Sequence, residues 1–239
     1  MRIEVLFPEI CNLYGELENI SYLKKSYPDI EVVQTALTEK PLFAEEEPAL
    51  IYMGTMTERS QTIVIEVLRG YVDRIRELID GGVHFLITGN ALEVFGKRIH
   101  DVDGTEIQGL GLFDTTAERD MMNRYNSLYL GDFQDMKIVG FKSQFAHSWW
   151  GEDQKPQPLF LTERGPGLHP GIKEEGIRVN HFMATYLIGP LLVLNPPFAK
   201  YILKGCGVPD PRLAFEEEAM DAYDTRVKEY SDPGTGFYY

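Results

Sequence analysis

Apolar residues gather at 2–7, 31–36 and 49–53 in short runs, each the length of a buried strand. Between the first two runs, Leu17, Ile20, Leu23 and Tyr27 recur at helical spacing within residues 15–27, which predicts a β-α-β start. A stronger three-or-four spacing passes through Val64, Val67, Leu68, Tyr71, Val72, Ile75, Leu78 and Ile79. It predicts one helix over 60–79, ended by Gly81-Gly82. A strand over 83–87 then feeds the turn Thr88-Gly89-Asn90, and a further helix begins at Ala91. Strands alternating with helices over such short distances predict a mainly parallel sheet covered on both faces, a three-layer α/β/α core.

After Gly96 the pattern changes. Segments 98–101, 105–109, 124–130, 137–142 and 159–162 are short and strand-like, separated by glycine, aspartate and proline, and they predict antiparallel strands appended to the core. Residues 149–158 and 164–171 read as polar surface loops, the first carrying the tryptophan pair Trp149-Trp150, whose rings are either exposed interface anchors or buried against the sheet. Strand character returns at 182–187 before Gly189-Pro190, and helices are expected over 197–205 and 211–230. The last helix is acidic on one side, with Leu213, Phe215, Met220, Tyr223 and Val227 on the other. The expected layout is one domain over 1–230 and a flexible tail over 231–239.

Composition narrows the function. With 23 basic against 37 acidic side chains the net charge is -14, which supplies no electrostatic footprint for nucleic acid or an anionic membrane. The first residues lack the basic and apolar regions of a signal peptide, and the longest apolar run, 186–194, is broken by Gly189-Pro190. A soluble cytoplasmic protein with reduced thiols is expected. Only two cysteines, Cys11 and Cys206, and five histidines are present, with no metal-binding spacing among them, so no metal is expected.

The strand-turn-helix around Thr88-Gly89-Asn90 is where an α/β hydrolytic fold carries its nucleophile. In the same order along the chain stand several motifs: Pro8-Glu9-Ile10-Cys11-Asn12-Leu13-Tyr14-Gly15-Glu16, Gly54-Thr55-Met56-Thr57-Glu58-Arg59-Ser60-Gln61, residues 89–97, Ile138-Val139-Gly140-Phe141, and Ala184-Thr185-Tyr186-Leu187-Ile188-Gly189-Pro190 followed by Asn195-Pro196. This ordered set resembles the class I glutamine amidotransferases of the cobyric acid synthase type. Within them it resembles the glutaminase-subunit branch of lipid II isoglutaminyl synthase, over roughly residues 1–205. The resemblance implies a flavodoxin-like fold, no cofactor, a glutamine or amide ligand, and a ligase or synthetase partner of Mur-ligase-like kind.

The departures from the family pattern bear on chemistry. Where the family has its nucleophilic cysteine this chain has Gly89, and where it has the catalytic histidine this chain has Ile188. Neither residue can act as nucleophile or base. Thr55, Met56 and Thr57 replace the small glycines of the loop that helps hold the oxyanion, and the family's Glu-Asn-His reads Lys142-Ser143-Gln144. Glycine accepts a positive φ at little cost, so Gly89 fits a turn relieved of its strained cysteine.

Substitutes remain to be weighed. Thr88 is one residue off the elbow, and Cys11 follows the first strand, at the sheet edge where ligands bind in such folds. His147 and His181 lie near the lost motifs, and Cys11 with His147 is the one thiol-imidazole pair worth testing. The plain alternative is that all four are structural. Gly54, Thr55, Gln61, Glu93 and Asn12 are the candidates to line a polar cavity able to bind an amide or amino acid, although Glu93 also reads as an ordinary helix residue. The expectation is a catalytically silent glutaminase-like subunit beside a ligase, with the Trp149 loop and the 211–230 helix as docking surfaces. The alternatives are an active amidohydrolase with relocated residues and a stand-alone amino-acid-binding protein. Whether the space above Gly89 is open or filled by Met56 and Ile188 separates a live site from a retired one.

Overall fold

In the computed structural model, which describes residues 1–151 and 155–238, strands and helices alternate through the first part of the chain. The order is β1 (Arg2–Leu6), α1 (Glu18–Ser26), β2 (Glu31–Thr35), β3 (Leu50–Met53), α2 (Glu58–Arg69), α3 (Val72–Asp80), β4 (His84–Thr88) and α4 (Ala91–Val94). Eight strands follow: β5 (Arg98–His100), β6 (Glu106–Gln108), β7 (Thr115–Arg119), β8 (Tyr125–Phe133), β9 (Met136–Gln144), β10 (Ala146–Trp150), β11 (Phe160–Arg164) and β12 (Glu174–Glu175). The chain ends with β13 (Ile177–Val179), β14 (Phe182–Thr185), α5 (Leu191–Leu194), α6 (Pro196–Gly205) and α7 (Glu216–Ser231).

The main sheet has the order β13-β14-β4-β3-β1-β2 and is parallel except at the β13–β14 pair. Its strands alternate strictly between two cores. Ile51, Met53, Phe85, Ile87, Phe182 and Ala184 face the core under α2 and α3. Leu50, Tyr52, Leu86 and Met183 face the other, under α1, α5 and α6. This is the expected three-layer α/β/α arrangement, with period-two strands and both faces covered. The later strands form two four-stranded sheets, β10-β7-β5-β6 and β12-β11-β8-β9. Both are antiparallel apart from the β5–β7 pair.

Four expectations need correction. The helix over 60–79 is two helices, because Tyr71 leaves helical geometry (φ -119°, ψ 10°) after Gly70, a poor helix former. The break lets the Tyr71 ring meet Phe43 edge-on at 5.6 Å. The tryptophans belong to β10 rather than to a loop, and Trp149 stacks on His169 at 5.0 Å; residues 152–154 of that loop lie outside the described residues. The apolar side of α7 is spent inside the chain, with Tyr223 buried against Leu130 and Val139, and only Phe215 of the expected stripe is well exposed. The segment after α7 is folded back: Phe237 is buried, and Leu128 N donates to Phe237 O at 2.9 Å. Among the described residues no helix is long and apolar enough to cross a membrane.

Candidate functional site

Parallel strands deliver their carboxyl ends to one edge of the sheet, and the connections leaving β1, β3, β4 and β14 meet there. Register pairs Met53 with Ile87 and Thr185 with Thr88, so the segments that follow converge on Gly89. A cavity of about 190 Å³ opens beside it, lined among others by Thr55, Gly89, Glu93, Arg119, Arg124 and Tyr186.

Gly89 has φ +63°, a left-handed conformation that glycine tolerates. A Cβ there would overlap Thr55 Oγ1, lie 2.8 Å from Thr55 Cβ and 3.0 Å from Ile188 Cγ2. The space above the turn is therefore filled, by Ile188 and by Thr55 in place of Met56. Glu16 holds Thr55 in place: its carboxylate accepts from Thr55 N (2.5 Å), Thr55 Oγ1 (2.7 Å) and Thr88 Oγ1 (2.9 Å). Burial pushes the Glu16 carboxyl up to about 7, against these three donors. The loop amides are spent as well. Thr55 N is bound to Glu16, while Met56 N donates to Asn90 Oδ1 at 3.1 Å and Met56 O accepts from Asn90 Nδ2 at 2.8 Å. An oxyanion would find both of these N–H groups already committed.

The substitute nucleophiles and bases are not brought together. Thr88 is fully buried, its hydroxyl turned to Glu16 and to Tyr52 Oη (3.1 Å), away from the cavity. Cys11 is buried in the core, and burial, with the Glu16 and Glu9 charges, drives its thiol far above the ordinary range. His147 meets Tyr125 edge-on, and burial, aided by Lys142, pushes its imidazole down to about 4. His181 stacks on His84 at 4.2 Å, at the amino end of β14 and the opposite edge of the sheet from Gly89. None of Thr88, Cys11, His147 and His181 lines the cavity.

The ligand candidates divide. Gly54 serves packing, since a Cβ there would meet Cys11 O at 2.6 Å, and Asn12 accepts from Leu17 N at 3.1 Å in an exposed loop. Thr55 and Glu93 line the cavity. Gln61 lies beneath it, giving Nε2 to Asn90 O (2.7 Å) and Glu93 Oε2 (2.9 Å) and taking Arg119 through Oε1 (2.6 Å). Tyr186 Oη donates to Glu93 Oε1 at 3.0 Å and meets Ser148 Oγ at 2.6 Å. Lys142, at the family's glutamate position, forms a fully buried ion pair with Glu175, which also accepts from Thr185 Oγ1 and Tyr186 N. Ser143 and Gln144, the rest of that motif, line the cavity.

The sequence reading passed over Glu16, Arg119, Arg124 and Tyr186. Glu16 had a signal, an acid inside the opening motif directly after Gly15. Arg119 had another, since it shares one side of β7 with Thr115 and Ala117, both buried.

Burial pushes the Glu93 carboxyl up to about 7, opposed by the Gln61 amide, the Arg119 charge and the Tyr186 hydroxyl. The folded chain thus binds this proton more tightly than the unfolded chain, whose value is near the ordinary 4.5. Its contribution to stability is whole below about 4.5 and is lost as the pH rises through about 7. Glu93→Gln keeps the shape and removes the titration. Relative to the native chain it should gain about 2–3 kcal/mol between pH 5 and pH 8 in urea unfolding. An unchanged difference at the two pH values contradicts this.

Comparison with known proteins accords with the geometry. A model of the CobB/CobQ-like glutamine amidotransferase domain matches residues 2–195. The GatD subunit of lipid II isoglutaminyl synthase (glutamine-hydrolyzing) from Staphylococcus aureus is 27% identical over 216 residues, covering 87% of this chain and 86% of that protein. A solved glutamine amidotransferase aligns with TM-score 0.56 at 17% identity, over 86% of this chain and 99% of its own. A second, from Thermotoga maritima, aligns with TM-score 0.50 at 10% identity, over 95% and 94%. These two structures share the fold. With the family model spanning most of its length, the chain belongs to the CobB/CobQ-like glutamine amidotransferase family.

Proposed function

We propose that this chain is a catalytically silent glutaminase-like subunit that acts in the cytoplasm beside a Mur-ligase-like partner. The observation that carries the reading is the closed space over Gly89, where a cysteine side chain would collide with Thr55 and Ile188. A thioester route needs a thiolate at that turn, a base within hydrogen-bond reach and free N–H donors for the oxyanion. Here the turn has no side chain, the histidine position is Ile188, and Thr55 N and Met56 N are already bonded.

The subunit role rests on the family and on the relative that is a subunit of lipid II isoglutaminyl synthase. A second reading, a stand-alone protein that binds an amino acid or amide, draws on the surviving cavity and its charged wall of Arg119, Arg124, Glu58 and Glu93. Co-purification separates the two. Expressed with a Mur-ligase-like protein, the chain should form a complex that amidates its substrate with ammonium but not with glutamine. A chain that stays alone favours the binder, and ligation supported by glutamine contradicts silence.

A further inference from the structure

The segment after α7 closes a strand whose far end is a wall of the cavity. β11 follows β8 from Asp132 to Leu130, with an irregularity between Thr162 and Arg164, and the pairing ends at Arg164 opposite Leu130. The vacated edge of β8 is taken by the carboxyl-terminal segment: Leu128 N donates to Phe237 O, and Ser127 and Tyr238 form an antiparallel bridge. Arg164 fastens the segment. Its guanidinium donates to Tyr230 O (2.5 Å), Asp232 O (2.6 Å) and Thr235 O (2.7 Å), and lies 4.1 Å from the centre of the Phe237 ring.

Contacts continue from this segment to the cavity. Tyr238 meets Tyr125 edge-on at 5.7 Å, Tyr125 meets His147 at 5.3 Å, and His147 Nδ1 lies 3.3 Å from Gln144 Nε2. Gln144 faces Tyr125 in the β8–β9 register and lines the cavity together with Arg124, Ser143 and Phe145. Among the described residues Gln144 Oε1 is buried with no hydrogen-bond partner, so packing has a larger share in fixing this wall than at a fully bonded position.

We propose that residues 232–238 are a strap whose seating on β8 holds the β8–β9 wall, and whose release opens the cavity. The strap is suited to local release. Phe237 is its one buried large side chain, and Tyr238 is 61% exposed, so it can leave without unfolding the main sheet. The inference stands whether or not the chain is silent.

The test places a reporter thiol in the wall with Ser143→Cys, in the full chain, and follows its labelling by a maleimide. Cys11 is buried and Cys206 half-buried, so the background, measured without Ser143→Cys, is small. Deleting residues 232–239 should raise the labelling rate about tenfold, and Arg164→Gln should raise it by a smaller factor, while amide exchange in β3 and β4 stays unchanged. If the deletion unfolds the chain, Arg164→Gln decides alone. An unchanged rate overturns the proposal, and so does a rise matched by faster exchange in β3 and β4, which reports general loosening.

Discussion

Gly89→Cys alone is expected to destabilise the chain by about 2–6 kcal/mol, read from urea unfolding. Two costs add. A non-glycine residue held at φ +63° costs about 1–3 kcal/mol, and forcing a side chain into a filled site costs about 1–3 kcal/mol more. The second cost has named sources in Thr55 and Ile188. It should therefore shrink in a background that removes them. Measured in a Thr55→Gly, Ile188→His chain against its own Gly89 parent, Gly89→Cys should cost about 2 kcal/mol less than in the native chain, a coupling expected only between residues in contact. Strict additivity would show that the turn has room of its own for a side chain.

For the same reason, Gly89→Cys with Ile188→His alone is expected to leave the site crowded by Thr55. Thr55 occupies the position of the cysteine side chain, and it is bonded through both its amide and its hydroxyl to Glu16. Thr55→Gly frees the space but takes the Thr55 hydroxyl from the buried Glu16, leaving it two of its three donors, the backbone amide of residue 55 and Thr88 Oγ1. The loop, the elbow and the connection before the first helix thus satisfy one another through hydrogen bonds and packing.

The sheet was legible because its strands are short continuous apolar runs, the mark of strands buried on both faces, and such runs can be read without knowing the partners. The cores on its two faces follow from it, as with Ile51 and Met53 against Leu50 and Tyr52. The position of His181 was legible in principle. It lies just before β14, and a four-residue strand is about 13 Å long, which puts His181 at the wrong edge for chemistry at Gly89. Motif order assigned Gly89 and Ile188 to one site, and the two are neighbours in the fold, Ile188 Cγ2 lying 3.0 Å from where a Cβ on Gly89 would stand. It could not give Thr55 rather than Met56 as the filler, because that depends on which side chain of the 54–57 loop turns toward the elbow. Asn90 decides this by taking both backbone groups of Met56. The tail was missed for a similar reason. Residues 231–238 carry no strand pattern, and their order comes from Arg164, more than sixty residues away. The buried pair Lys142 and Glu175 was equally hidden, since a lysine in a strand reads as a surface residue until its partner is known.

The central claim is that the chain keeps the amidotransferase fold without its reaction, and ammonia release from glutamine tests it most directly. The purified chain, with saturating glutamine at neutral pH, should release ammonia no faster than buffer, alone or with its partner. Cys11→Ala and Thr88→Ala should leave that baseline unmoved. Ammonia released above the buffer rate, and abolished by either substitution, would show that the reaction has been moved rather than lost.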